Sequence, residues 1–167
     1  MVFPHSLKEH VGTGEISRKD GGGPVDMPPV EFDPVNLSSR LLEDNAILFS
    51  KISAALNCEE SEVPTALGEV IRFMYLANLN DDGMLTPSVV VDLAWHEFIL
   101  CTRAYAQFCS SQFGEFIHHA PGGSKEKNQQ QFQRTLANYQ TIFGEPNKHY
   151  WGPTAKTVIS CGECESN

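Results

Sequence analysis

From Pro87 to Phe113 the chain is apolar almost all round, and no other stretch constrains the fold as strongly. The run is too long for a strand and too often interrupted by polar residues to span a membrane, so it predicts a buried central helix. A helix buried on every side needs partners on every side, and the flanking sequence offers them. Leu37, Leu41, Leu48, Ile52 and Leu56 recur at helical spacing from Asn36 to Leu56, widened by Leu42, Ala46 and Phe49, with Asn57 as the stop. Pro64 suits a first helical turn, and Leu67, Val70, Ile71, Met74 and Tyr75 then mark a second amphipathic helix ending near Asn78. Beyond the turn Pro121-Gly122-Gly123, a Gln-rich helix carries Phe132, Leu136, Tyr139 and Phe143 on one face and stops at Gly144. No series of alternating strands is present. The expected fold is all-α, a compact bundle of about four helices with irregular termini and at most a small β element at Thr157 to Ser160.

The composition divides the chain into a Pro/Gly-rich leader at residues 1–32, a helical domain at 33–153 and a tail at 154–167. With 41% apolar and 20% charged residues it is an ordinary globular chain, long enough at 167 residues to bury a core. Twelve Lys and Arg stand against 21 Asp and Glu, a net charge of −9 with no basic cluster, which argues against nucleic acid and anionic membranes as partners. The N-terminal residues lack the pattern of a secretory signal, so a cytoplasmic location is expected. Five cysteines, an odd number, fall partly inside apolar helical patterns, which suits reduced core thiols, Cys101 and Cys109 above all, better than a disulfide framework that would also take in Cys58; Cys161-Gly-Glu-Cys164 is a C-x-x-C.

Turning about 100° per residue from Asp92 puts His96 at about 40°, Arg103 at about 20° and Gln107 at about 60°, with Ser110 close to Asp92 again. One reading of this narrow polar line is a wet strip on a core helix, with Asp92 and His96 paired one turn apart. The other is a recessed pocket in which Asp92 fixes the His96 imidazole as a base or metal ligand and Arg103 counters an anionic substrate group. Trp95 and Tyr105 either line that pocket or belong to the core.

The stretch PSVVVDLAWHEFILCTRAYAQFCSSQFGEFIHHAPG, Pro87 to Gly122, resembles the core of the glycine-rich domain-containing protein family, with its D-x-x-W-H element, a Tyr, a Cys and a final H-x-P. The resemblance singles out Asp92, Trp95, His96, Tyr105, Cys109, His119 and Pro121. It departs at Phe98, where plant members usually carry a second histidine, so a ligand set needing that histidine is not supplied here. It implies a fold and a site location rather than a reaction.

A loop return would bring His118 or His119 beside His96. Two histidines fall short of the usual four zinc ligands, and Cys161 and Cys164 would complete a Cys₂His₂ set with His96 and His119. The calcium-like run Asn78 to Gly83 lacks the acidic twelfth residue, which is Val89, and reads as a turn. Two functions are therefore expected: a His-centred pocket binding a metal ion, with zinc the candidate, or a small ligand, catalytic or not, or a non-catalytic module for a protein partner in which the Trp-His helix is structural.

Overall fold

A computed structural model of the chain describes residues 32–80, 84–120 and 122–152. Seven α-helices and one 3-10 turn, and no strand, occur among these residues. Thr157 to Ser160, the leader up to residue 31 and the C-x-x-C tail lie outside them.

Helix count exceeds the expected four because two runs of helical periodicity are each broken in the middle and a further short helix follows the last. The first becomes α1 (Pro34–Glu43) and α2 (Ala46–Leu56). Asp33 caps α1, its Oδ1 accepting from the amides of Val35 and Asn36 at 3.0 and 3.1 Å. Asn45 leaves helical geometry and its side-chain amide donates to the Leu41 carbonyl at 2.8 Å, taking up one of the acceptors exposed at the end of α1. Asn57, in the left-handed region at φ 48°, ends α2.

A 3-10 turn at Glu60–Glu62, closed by a capping box between Glu59 and Glu62, leads into α3 (Val63–Leu79). This helix, rather than the Pro87–Phe113 segment, is the hub of the protein. Eleven of its 17 residues are buried, and it packs against α1, α2, α4 and α6.

The Pro87–Phe113 run is likewise two helices, α4 (Val89–Leu100) and α5 (Thr102–Phe113), hinged at Cys101 with ψ 57°. Neither is buried all round, since Leu93 and Leu100 on α4 and Arg103, Ala106 and Gln107 on α5 are exposed. The hinge exists because of what it lets the buried aromatics do. On a straight helix Trp95 and Tyr105 would stand about 15 Å apart along the axis. Here the Trp95 indole N–H donates to the Tyr105 hydroxyl at 3.2 Å, and Phe98 meets Tyr105 edge to face at 5.0 Å.

Gly114, at φ 74°, closes α5 in the left-handed conformation that glycine adopts without strain. After a loop, Ser124 caps α6 (Lys125–Phe143), and α7 (Lys148–Trp151) follows with Asn147 as its cap. Tyr150 and Trp151 are both buried and seat this last turn on the domain.

Holding α3, α6 and α7 together is a carboxylate that the sequence pattern gives no reason to bury. Glu69 is 2% exposed. Its Oε2 accepts from the Tyr139 hydroxyl at 2.8 Å and from the Trp151 indole at 2.7 Å, while Oε1 takes the Arg72 guanidinium at 2.7 Å. Three donors compensate the desolvation that an isolated buried charge would suffer.

Burial raises the phenol pKa of Tyr105, Tyr139 and Tyr150, the last to about 12. In the unfolded chain these phenols ionise around 10. The folded state therefore binds more protons between those values, and stability should fall as pH rises above about 10. Phenolate absorbance should appear together with loss of helical circular dichroism; phenolate appearing in a chain that stays helical would contradict the buried placement.

Candidate metal and ligand site

Asp92 and His96 stand one turn apart on α4. Ser88 starts that helix, its hydroxyl accepting from the Val91 amide at 3.1 Å, and Asp92 lies in the first turn, where the helix dipole favours a carboxylate. His119 comes from the loop after α5. Its approach is fixed two residues earlier, where the buried Tyr105 hydroxyl donates to the Ile117 carbonyl at 2.6 Å. Trp95, tied to the same hydroxyl, packs its ring 4.8 Å from the His119 ring.

The three side chains converge. Asp92 Oδ1 lies 3.0 Å from His119 Nε2, and Oδ2 lies 3.4 Å from His96 Nδ1. The two imidazoles meet edge to face at 4.4 Å. His96 Nδ1 is also 2.7 Å from the Asp92 backbone carbonyl, a contact that makes this nitrogen the N–H donor and leaves the lone pair on Nε2. One donor atom from each of the three residues falls within 4.8 Å of the others. His119 and Asp92 are mostly covered, with side chains 16% and 19% exposed, whereas His96 is 41% exposed at the outer edge.

Asp92 and His119 face a cavity of about 440 Å³. Phe73, Trp95 and Ile117 give it an apolar wall, Met84 and Leu85 border it, and no Lys or Arg lines it among the described residues.

Of the residues singled out from sequence, Asp92, His96 and His119 come together, and Trp95 joins them as a wall. His118 also borders the cavity, but it is exposed and packs on Phe116 rather than on Asp92. Tyr105 is a core residue that acts through Trp95 and Ile117. Arg103 does not belong to the site. The helical projection that placed it beside Asp92 assumed a straight helix; the hinge at Cys101 turns it to an exposed position on α5, along a separate groove with Arg40 and Gln107. Cys161 and Cys164, the other two ligands of the Cys₂His₂ set, lie outside the described residues. Cys109 is fully buried and Cys101 partly so, as free thiols.

Periodicity did not single out Asn78 and Asn128, which border the same cavity, or the buried Glu69. Glu69 left one trace in the sequence, since Glu69 and Arg72 are the only charged residues between Val63 and Leu79.

The described residues thus define an all-helical fold with an Asp-His-His cluster at the edge of a small-molecule-sized cavity. The chain matches the UCP032817-like family over residues 45–142, more than half its length, and belongs to that family. This corrects the resemblance to glycine-rich domain-containing proteins. The matched region runs from α2 to α6 and contains the whole Pro87–Gly122 stretch on which that resemblance rested, and it brings no glycine-rich domain with it. No curated protein and no solved structure matches the chain. No helix among the described residues is long and apolar enough to cross a membrane.

Proposed function

We propose that Asp92, His96 and His119 bind one divalent transition-metal ion, zinc in the first instance, and present it to a small molecule held in the adjoining cavity. The observation that carries this reading is the convergence of three ligand-type atoms within 4.8 Å. Zinc bonds of about 2.0–2.2 Å in tetrahedral geometry need ligand atoms about 3.3 Å apart, so a contraction of about 1.5 Å closes the set. The Asp92–His119 contact is already shorter than that. Two imidazoles and a carboxylate form a ligand set used for zinc and ferrous ions at sites that leave coordination positions open, and such an ion polarises a carbonyl oxygen or activates a bound water. The hydrogen bond from His96 Nδ1 to the Asp92 carbonyl supports the reading, because ligating imidazoles ordinarily carry a partner of this kind on the second nitrogen.

Elemental analysis of protein purified without chelator or histidine tag tests it. About one equivalent of metal is expected in the wild type, lost in Asp92→Ala and His119→Ala with helical content retained, and kept in Cys161→Ser. Metal lost from Cys161→Ser but kept in Asp92→Ala would assign the Cys₂His₂ set instead. Absence of metal from wild type after zinc reconstitution would overturn the proposal and leave a metal-free pocket or a protein-interaction module.

A further inference from the structure

Besides the metal-type cluster, the cavity lining carries two side-chain amides, Asn78 and Asn128. Asn128, on α6, is 5% exposed, borders the cavity and makes no side-chain hydrogen bond among the described residues. Asn78, near the end of α3, has an Oδ1 that is fully covered and unpartnered. A covered amide oxygen without a partner costs about 1–3 kcal/mol, so the Asn78 Oδ1 is a standing cost that a ligand donor can remove, and the Asn128 amide is available beside it on the same cavity. The neighbouring polar groups are already committed to one another. The Thr86 hydroxyl donates to Gln131 Oε1 at 2.8 Å, and the Thr135 hydroxyl donates to the Thr86 carbonyl at 2.8 Å.

Asn128 is also held in place. At Gly123, with φ 107°, a Cβ would come within 2.6 Å of Asn128 Oδ1, so the loop lies directly against the amide. Such a preset amide offers a donor and an acceptor side by side, the complement of another amide edge.

Charge narrows the ligand further. With two carboxylates, Asp92 and Glu115, and no Lys or Arg in the described lining, a phosphate, sulfate or carboxylate finds no countercharge beyond the lining histidines and the proposed ion. Phe73, Trp95 and Ile117 supply apolar surface for a flat body, and about 440 Å³ lies within the range of small-molecule sites.

We infer that the cavity recognises an uncharged, planar compound bearing an amide or lactam edge, read by Asn128 and Asn78. This rests on the reading of the cavity as the ligand site.

Titration calorimetry and saturation-transfer NMR on the full chain, with nicotinamide, uracil and hypoxanthine as probes and nicotinate and inorganic phosphate as charged comparators, test it. At least one amide probe should bind ten-fold or more tightly than either comparator. Asn128→Leu and Asn78→Leu, which replace the two amides with apolar groups of similar size and should keep the fold, should each weaken that probe at least ten-fold. Equal or better binding of nicotinate or phosphate, no binding of any amide probe, or leucine variants that bind unchanged would each overturn the inference. The same titrations in metal-free Asp92→Ala separate the two readings. Amide preference that persists there while metal is absent from every preparation means the metal reading alone has failed, and metal retained by the wild type without amide preference means this inference alone has failed.

Discussion

Glu69→Ala should lower stability by about 3 kcal/mol, enough to bring the thermal midpoint down by about 10 °C. The substitution strands three donors at once. The Tyr139 hydroxyl and the Trp151 indole N–H share one carboxylate oxygen, and Arg72 holds the other. Removing one member of a buried charged pair costs more than the pair itself contributes, because the remaining groups stay desolvated. Arg72 moderates the loss, since its side chain is 22% exposed and can turn to water. Glu69→Gln, which keeps the shape and one acceptor, should cost less than half as much. Thermal and urea melts of both variants measure this. Equal stability of Glu69→Ala and wild type would mean that the carboxylate does not organise the contact between α3, α6 and α7.

Tyr105→Phe should cost about 2 kcal/mol and, separately, weaken zinc binding roughly ten-fold. The lost hydroxyl leaves the Trp95 indole without its acceptor and the Ile117 carbonyl without its donor, both in buried surroundings. Ile117 stands two residues before His119, so loosening its carbonyl frees the loop that delivers the imidazole to Asp92. Tyr105 touches no ligand atom and would act as a positioning residue. A core change of comparable stability cost placed far from the loop, such as Ile142→Ala, controls for general destabilisation and should leave zinc affinity unchanged. If the two variants affect zinc equally, or Tyr105→Phe leaves it untouched, the positioning role is wrong.

How much of this was legible in the sequence depends on whether a feature is local. Helix α6, with the turn before it, its stop at Gly144 and its face of Phe132, Leu136 and Tyr139, follows from periodicity and end signals. So does α3. The breaks at Asn45 and Cys101 do not, because apolar spacing continues across both and only tertiary contacts, Trp95 with Tyr105 above all, make the bend favourable. The same limit explains Arg103. An angle computed along one helix loses meaning once the axis turns. Asp92 and His96 were legible as an i,i+4 pair, and a returning histidine was expected, but the choice of His119 over His118 is made by the Tyr105–Ile117 hydrogen bond. Asn78 and Asn128 sit where polarity carries no periodic signal, and their interest comes from facing one cavity, which only the folded arrangement reveals.

The shared oxygen on Glu69 has a bearing on how the protein assembles. Its two neutral donors arrive 70 and 82 residues later along the chain. Until α6 and α7 are in place, packing α3 against α1, α2 and α4 means enclosing a charge whose compensation is still missing apart from Arg72. Halves of the domain are thereby discouraged from existing alone, and the long loop that must close before the carboxylate is satisfied makes folding slower than the helical content suggests. The buried acid thus serves as a cooperativity device, making completion of the last helical turn a condition for the stability of the first four helices.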